Sequence, residues 1–364
     1  MAELLRDDGY GISVVTPKIY KGSHYFEEQD GIKVYRFPFF ARDKLLIEHE
    51  KIPYLRMILY WVTGVFLTLY ALVKNRCRLI HVHWAIPTGL IGVTVALLLR
   101  KPMIVTIHGS DLRMALEKRG FLRKLFVHVC KNAAYLNCVS EVQKKELEQL
   151  GILKEKIWTI PMGVEETFLE ADRHRREEFK KGPTTVLSNR NLLPIYNVSL
   201  LIRAIPIVLQ EEPDATFLIA GDGAERGALE TEARSLNINS SVKFLGRVPH
   251  EEMPNLLSQA DIYVSTSLHD GTSVSLLEAM ACGTFPIVTD ILSNREWITD
   301  SENGFLIPTE DEHILAKKIV EAIRNRQLFA KASEKNRKII DQKAQWKANI
   351  KKMTNIYENS SMGI

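Results

Sequence analysis

The hydrophobic pattern of this chain alternates between short apolar runs and longer periodic segments, which is typical of α/β proteins. Short runs rich in β-branched residues predict strands, and longer segments with a 3.6-residue period predict helices. The predicted strands are 12–16, 32–37, 78–83, 103–108, 135–139, 156–160, 184–188, 215–220, 242–245, 262–267, 285–289 and 305–307. The regular alternation of strand and helix predicts two Rossmann-like, doubly wound parallel sheets.

The predicted helices separate these strands, and the C-terminal tail from about 328 to 358 is also predicted to be helical. The others lie near 54–74, 87–100, 117–132, 141–150, 197–211, 225–236, 250–259, 273–282 and 310–325. The polar segment 161–183 ends in Gly-Pro and is predicted to link the two sheets. We therefore expect an N-terminal domain at 1–165, a second domain at 166–345 and a C-terminal helix at 346–364.

The segment 57–73 has no charged residue and lies between Arg56 and Lys74. Its seventeen residues are close to the ~20 that a membrane-spanning helix requires. We favour a buried helix of the first domain, and a helix lying on a membrane surface stays open as the alternative. A true span is rejected because it would remove one connecting helix from an otherwise regular sheet.

Composition places the chain among ordinary globular proteins. Its 364 residues suit two domains, and 46% are hydrophobic and 25% charged. The cysteines are Cys77, Cys130, Cys138 and Cys282, with no closely spaced pair. This spacing argues against a zinc site or a disulfide framework and favours a cytoplasmic location.

The net charge of +4 is distributed unevenly along the chain. Residues 1–165 carry 24 Lys/Arg and 16 Asp/Glu, a net charge of +8, whereas residues 166–364 carry 24 and 28, a net charge of −4. The basic first half favours an anionic acceptor or peripheral contact with the anionic inner face of the cell membrane. No basic block with interleaved aromatics is present, so nucleic acid is not expected as a partner.

One helix of the first half is particularly basic, and two interpretations of it are open. Its charges form either a solvated face or a contact with anionic lipid or a phosphate-bearing acceptor. The residues concerned are Arg113, Lys118, Arg119, Arg123, Lys124 and Lys131.

The most informative stretch is 262–290, which is predicted to form a strand, a polar loop, a helix and a second strand. Asp270 and Gly271 are followed by hydroxyl residues at the point where the helix begins. A helix N-terminus offers unpaired N–H groups and partial positive charge, so a phosphate is its natural ligand. Glu278 lies in the apolar run LLEAMA, where a carboxylate is suited to accept hydrogen bonds from a ribose diol. Together these features indicate a nucleotide site.

Several motifs resemble those of retaining glycosyltransferase family 4. Asp270 and Glu278 are similar to its Glu-x7-Glu motif, with Asp in place of the first Glu, and the following CGTFPIVTD resembles its next strand. The run HGSD, which begins at His108, resembles the family's His-Gly-x-Asp motif. Segment 188–204 resembles a family segment in which Lys-Gly is expected where this chain has Tyr196-Asn197. The resemblance covers roughly residues 9 to 358.

The resemblance implies the GT-B architecture, in which two Rossmann-like domains face a cleft and a C-terminal helix returns to the first domain. Family members normally have a further strand and a Gly-Gly loop before the first helix. This piece is absent here, so we expect an N-terminally truncated chain or a mis-assigned start.

The resemblance also implies retaining, metal-independent transfer from a nucleotide-diphosphate sugar to a glycan or lipid-linked acceptor. Arg190 and the N–H groups of Gly271 to Ser273 would stabilise the leaving diphosphate. Asp270 and His108 would hold the transferred sugar, and Glu278 the ribose. The further donor-binding candidates are Thr272, Ser273, Val274, Asn191, Gly221 and Arg247.

Other interpretations remain open at this point. His81 and His83 are favoured as structural imidazoles, and no metal is expected because no carboxylate motif accompanies them. The turn Gly221-Asp222-Gly223 is equally compatible with a purely structural role. A dehydrogenase would require Gly-x-Gly-x-x-Gly, which this turn lacks. The remaining alternatives are an inactive nucleotide-sugar-binding protein and a nucleotide-sugar epimerase of the same architecture.

Overall fold

The computed structural model describes residues 1–39, 54–117, 120–173 and 182–362. The chain divides into two compact units, Met1–Ile160 with Ile350–Ile364, and Pro161–Asn349. The sequence placed the first border at residue 165, whereas the structure places it after Ile160. The last residues of the chain, from Ile350, belong to the first unit.

The first unit contains two sheets among its described residues. Its strands are β1 (Ser13–Lys18), β2 (Phe26–Gln29), β3 (Ile32–Pro38), β4 (Ile80–His83), β5 (Met103–Ile107), β6 (Tyr135–Cys138) and β7 (Ile157–Thr159). One sheet has the order β1-β3-β2 with β2 antiparallel, and the other has the parallel order β4-β5-β6-β7. Among the described residues no strand joins β1 to β4, so the strands of this half form two adjacent parts of the predicted Rossmann-like domain rather than one continuous sheet.

The helices of the first unit surround these sheets. They are α1 (Ala2–Asp7), α2 (Tyr54–Lys74), α3 (Thr88–Leu99), α4 (Ser110–Glu117), α5 (Phe121–Asn132) and α6 (Glu141–Gln149). The helix predicted from residue 117 begins later, at Phe121. It is preceded by Gly120, whose φ of 111° is a backbone angle that residues other than glycine rarely adopt and that is not helical. Lys118 and Arg119 of the basic helix lie outside the described residues.

The core of the first unit forms around β5. Its residues from Met103 to Ile107 are apolar or β-branched and are buried on both faces of the sheet. Helix α2 packs Tyr60, Val65 and Leu72 into the same core. The buried-helix interpretation therefore holds for one side of α2, while its other side is exposed.

The second unit contains one parallel six-stranded sheet. Its strands are β8 (Thr185–Ser188), β9 (Thr216–Ala220), β10 (Val242–Gly246), β11 (Ile262–Ser265), β12 (Phe285–Thr289) and β13 (Phe305–Ile307), in the order β10-β9-β8-β11-β12-β13. Its helices are α7 (Glu166–Arg173), α8 (Val198–Glu211), α9 (Arg226–Ser235), α10 (Met253–Gln259), α11 (Val274–Ala281), α12 (Leu292–Arg295), α13 (Glu312–Arg324) and α14 (Gln327–Lys343). The prediction of a Rossmann-like sheet is confirmed here.

The segment predicted as a polar linker, 161–183, contains helix α7. Phe168 and Leu169 are buried against α11 in a core that also includes Leu257 of α10. These two apolar residues give an otherwise charged segment one buried face, which its composition concealed. Residues 174–181 of the predicted linker lie outside the described residues. The helical tail is interrupted at Ala344 and continues as α15 (Trp346–Met362).

Candidate functional site

The topology of the second sheet places a crevice between two neighbouring strands. From β8 the chain continues outward to β9 and β10, whereas from β11 it continues outward in the other direction to β12 and β13. Ligands of open α/β sheets bind beyond the carboxyl ends of the strands at such a switch point. Arg190 follows β8, and Asp270 lies in the loop after β11.

Arg190 joins the two sides of this crevice. Its Nη2 donates to Oδ2 of Asp270 at 2.5 Å, and its Nη1 donates to Oγ of Ser273 at 2.9 Å. The guanidinium carbon also lies 4.2 Å from the ring centre of Tyr196. Burial opposes the charge of Arg190, but the ion pair with Asp270 outweighs it, so the pKa of the guanidinium is raised. The guanidinium therefore stays charged, and its ion pair with Asp270 fixes its orientation.

The loop after β11 leads directly into helix α11. Ser273 caps this helix, because its Oγ accepts a hydrogen bond from the Leu276 N–H at 3.3 Å. Gly271, Thr272 and Ser273 are buried, and Val274 is the first helical residue. The predicted helix start is confirmed, and the side chain that caps it also contacts Arg190. The partial positive charge at the N-terminus of α11 and the guanidinium of Arg190 together favour the binding of an anion.

Glu278 lies farther along α11 and is only 6% exposed. Burial raises its pKa to about 7, with a further contribution from the negative charge of Glu165 and an opposing one from Arg190. His250 approaches both carboxylates, with Nδ1 4.0 Å from Glu278 and Nε2 3.7 Å from Glu165. Sequence reasoning missed Glu165 and His250, since neither lies in a recognisable motif.

Gly221 is explained by close packing of the backbone. A Cβ atom at Gly221 would lie 2.2 Å from the Arg190 carbonyl oxygen, and one at Gly223 would lie 2.3 Å from that of Leu192. The two glycines therefore allow the turn after β9 to support the segment that carries Arg190, which favours the structural interpretation of this turn.

The remaining donor-binding candidates of the second unit are exposed. Asn191 follows Arg190, and Arg247 follows the last residue of β10. Both lie at the carboxyl ends of their strands, but the structure assigns them no contact with Asp270 or Glu278.

Tyr196 and Asn197 replace the Lys-Gly pair expected from the family. Asn197 has a left-handed backbone, with φ 45° and ψ 43°, a conformation that asparagine tolerates better than most residues. The Tyr196 carbonyl accepts a hydrogen bond from Thr266 Oγ1 at 3.0 Å, which ties this turn to the loop after β11. The backbone shape that Gly would provide is thus kept, while an aromatic ring covers Arg190.

His108 lies in the first unit, directly after β5. Its Nε2 is 2.9 Å from Nδ1 of His83, and its ring lies 4.7 Å from that of Trp84. Burial, together with the charge of His83, lowers the pKa of His108 to about 4, and burial lowers that of His83 to about 4. Both imidazoles are therefore neutral near pH 7 and act as hydrogen-bonding groups.

His81 has a different role from His108. Its Nδ1 lies 2.6 Å from the Tyr357 hydroxyl and its Nε2 lies 2.8 Å from Thr106 Oγ1. Both ring nitrogens are therefore occupied, which favours the structural interpretation of this histidine. Within the described ranges no group of three His, Cys, Asp or Glu side chains is placed to hold a metal ion.

Comparison with known proteins follows the division into two units. Residues 1–168 match the family described as Glycosyltransferase Family 4, and residues 170–345 match Glycosyl transferases group 1. An uncharacterized glycosyltransferase of Methanocaldococcus jannaschii is 28% identical over 286 residues, covering 78% of this chain and 76% of the relative. The alpha-monoglucosyldiacylglycerol synthase of Streptococcus pneumoniae is 27% identical over 269 residues, which cover 67% of this chain and 58% of the relative.

Solved structures share the fold at lower sequence identity. The sucrose-phosphate synthase of Thermosynechococcus elongatus matches with a TM-score of 0.80 at 19% identity, covering 100% of this chain and 92% of that one. HepE of Anabaena, in complex with UDP-glucose, matches with a TM-score of 0.73 at 18% identity, and the match covers 90% of this chain and 86% of HepE. The expected α/β fold with two Rossmann-like domains, as in GT-B proteins, is confirmed.

Proposed function

The chain belongs to glycosyltransferase family 4, and we propose that this transferase moves a sugar from a nucleotide-diphosphate sugar to an acceptor hydroxyl with retention of configuration. We further propose that the reaction needs no metal ion. The observation that carries the proposal is the contact of Arg190 with both Asp270 and Ser273 beside the start of α11. This contact holds the guanidinium of Arg190 next to the N-terminus of α11, whose partial positive charge suits a diphosphate.

The donor is assigned to the second unit in this proposal. Glu278 accepts hydrogen bonds from the ribose hydroxyls, and the diphosphate binds at the N-terminus of α11. A pKa of about 7 means that the Glu278 carboxylate is easily protonated in the empty protein. Hydrogen bonds from a diol favour the charged carboxylate, so donor binding would lower this pKa.

The transfer step requires charge stabilisation rather than a new reactive group. The acceptor oxygen forms a bond to the anomeric carbon while the bond from that carbon to the diphosphate oxygen breaks. The acceptor proton passes to the departing phosphate, whose negative charge is stabilised by Arg190 and by the N–H groups at the start of α11. Of these, the Gly271 N–H donates to Oδ1 of Asp270 at 3.1 Å and would have to exchange this partner for the phosphate. Asp270 and the neutral imidazole of His108 are proposed to bind sugar hydroxyls.

The acceptor is proposed to be a glycan or a lipid-linked hydroxyl compound at the cytoplasmic face of a membrane. The excess of basic residues in the first 165 residues supports an anionic acceptor or surface. One relative is named as an alpha-monoglucosyldiacylglycerol synthase, a name that denotes a glycolipid product, and this supports a lipid acceptor.

The test is a transfer assay in EDTA with UDP-, GDP-, ADP- and dTDP-sugars and a panel of lipid and sugar acceptors. We expect acceptor-dependent release of one nucleotide and, by NMR, an α-linked product from an α-configured donor. A β-linked product would contradict retention, and a reaction that requires added Mg²⁺ would contradict metal independence. Tight donor binding without turnover would instead support the binding-protein alternative, which the ring of Tyr196 in the expected lysine position favours.

A further inference from the structure

Helix α2 presents a large apolar surface to solvent. Ile58, Val62, Phe66, Tyr70 and Val73 recur at helical spacing and are all exposed, with Ile58 at 61% and Phe66 at 70%. No charged residue lies between Arg56 and Lys74. A row of exposed apolar side chains on one helix face usually marks a binding surface, because soluble proteins otherwise keep contiguous apolar patches small.

The opposite side of α2 belongs to the core of the first unit. Tyr60, Val65, Ala71 and Leu72 are buried there. By length and composition the segment Arg56–Lys74 could cross a membrane. However, 33% of the segment is buried inside its own unit. Removing the helix from its unit would expose these buried residues, so the apolar surface is suited to lie on a partner rather than to cross a bilayer.

Helix α3 extends this surface. The Tyr60 hydroxyl lies 3.2 Å from Thr88 Oγ1, and a Cβ on Gly64 would lie 2.3 Å from Cδ1 of Ile91. These two contacts show that α3 runs beside α2 in the same direction. The last turn of α3, with Leu97 and Leu98 exposed, therefore lies toward the Lys74 end of α2.

Basic residues border the same end of this surface. From Lys51 to Ser110 the sequence contains no aspartate or glutamate. The described basic residues at or just after the C-terminal ends of the two helices are Lys74, Arg76, Arg78, Arg100 and Lys101. The carboxylate of Glu27 in the nearby strand β2 forms an ion pair with Arg36, so the basic residues of this border are not its partners.

Lys74 shows how such a border would work. Its Nζ donates a hydrogen bond to the Tyr70 hydroxyl at 2.8 Å and lies 5.1 Å from the centre of that ring and 5.8 Å from the ring centre of Phe26. A long basic side chain in this position keeps its charge at a polar boundary beside apolar groups.

We propose that the outward side of α2 and the last turn of α3 dock on an anionic lipid bilayer. The aliphatic and aromatic side chains enter the boundary between headgroups and acyl chains, and the basic border contacts anionic headgroups. A second copy of the chain is a poorer partner, because association would bring two positive borders together. The docking surface itself does not depend on the proposed function. Only its purpose, which is to bring the enzyme to a lipid-linked acceptor, rests on that function.

The test is flotation of the purified full chain with vesicles of phosphatidylcholine alone or with phosphatidylglycerol, in about a 2:1 ratio. The double variant Ile58→Ser/Phe66→Ser should bind anionic vesicles at least about tenfold more weakly than the wild type, with an unchanged melting temperature. The matched control is Leu153→Ser/Leu292→Ser, which alters two aliphatic residues that are 64% and 62% exposed and lie outside α2, α3 and the basic helix. This control should bind as the wild type does.

Three outcomes would overturn the inference. The first is equal binding of the wild type to neutral and anionic vesicles. The second is loss of binding in the control but not in the α2 variant. The third is that light scattering finds the wild type to be a dimer and the α2 variant to be a monomer. UDP binding is measured in the same samples to separate the two proposals. Vesicle binding without nucleotide binding would contradict the proposed function and leave the docking surface supported.

Discussion

The buried carboxylate of Glu278 predicts a conflict between stability and donor binding. Burial raises its pKa from 4.5 to about 7, so the folded protein holds this proton more tightly than the unfolded chain does. The stability contributed by the proton is fully present below pH 4.5 and is lost as the pH rises through about 7. Glu278→Gln keeps the neutral form at every pH and should therefore stabilise the empty protein at alkaline pH.

The size of this effect follows from the pKa shift. One pKa unit corresponds to about 1.4 kcal/mol, so the shift of Glu278 amounts to about 3 kcal/mol when it is fully expressed. Glu278→Gln should raise the free energy of unfolding by about 3 kcal/mol at pH 8 and by less than about 1 kcal/mol at pH 5. With UDP bound, the advantage of the variant at pH 8 should shrink, because UDP stabilises the wild type and Gln cannot replace the carboxylate toward the ribose.

The assay is denaturant unfolding of the wild type and Glu278→Gln at pH 5 and pH 8, with and without UDP. At about 100 times the dissociation constant, UDP adds about 2.7 kcal/mol to the wild type, and the variant should gain less. Glu251→Gln is the control, because Glu251 is an exposed carboxylate on the turn that carries His250. A variant that is destabilised at pH 8, or a gain that is the same at both pH values, would refute the reasoning.

Three further substitutions test the contacts around the site. Arg190→Lys should lower kcat/KM by about a hundredfold in a transfer assay, because lysine cannot reach both Asp270 and Ser273 as a planar fork; unchanged activity would exclude the assigned role. Gly223→Ala should lower the free energy of unfolding by about 2 kcal/mol or more, since the new Cβ would lie 2.3 Å from a carbonyl oxygen; wild-type denaturant midpoints would contradict this. Tyr357→Phe removes the hydrogen bond to His81 and should cost about 1 kcal/mol in the same measurement, whereas the exposed Tyr20→Phe should cost nothing measurable.

Much of the fold could be predicted because its strands are short, β-branched and buried. Strands β5, β11 and β12 are examples, since burial on both faces requires a continuous apolar run. Strand β2 was missed for the opposite reason, because Phe26–Gln29 is largely exposed and mostly polar. Helix α7 was concealed in a charged segment, where only Phe168 and Leu169 mark the buried face.

The site was predicted in its components but not in its contacts. The loop after β11 and the start of α11 follow from local sequence, because a helix cap depends on neighbouring residues. The sequence assigned Arg190 and Asp270 to different parts of the donor, whereas the structure pairs them with each other. The effect of Glu165 on Glu278 also depends on tertiary packing, since these residues are far apart in sequence.

The central claim is that a nucleotide sugar binds beyond β8 and β11 of the second unit. Its most direct test is calorimetric titration of UDP-glucose, and then of the other nucleotide sugars, into the wild type, Arg190→Ala and Glu278→Ala without metal. The account predicts binding of one nucleotide class by the wild type and at least about tenfold weaker binding by both variants, with Glu251→Gln unaffected. Equal affinity in all four proteins would contradict the assignment of the donor to this site.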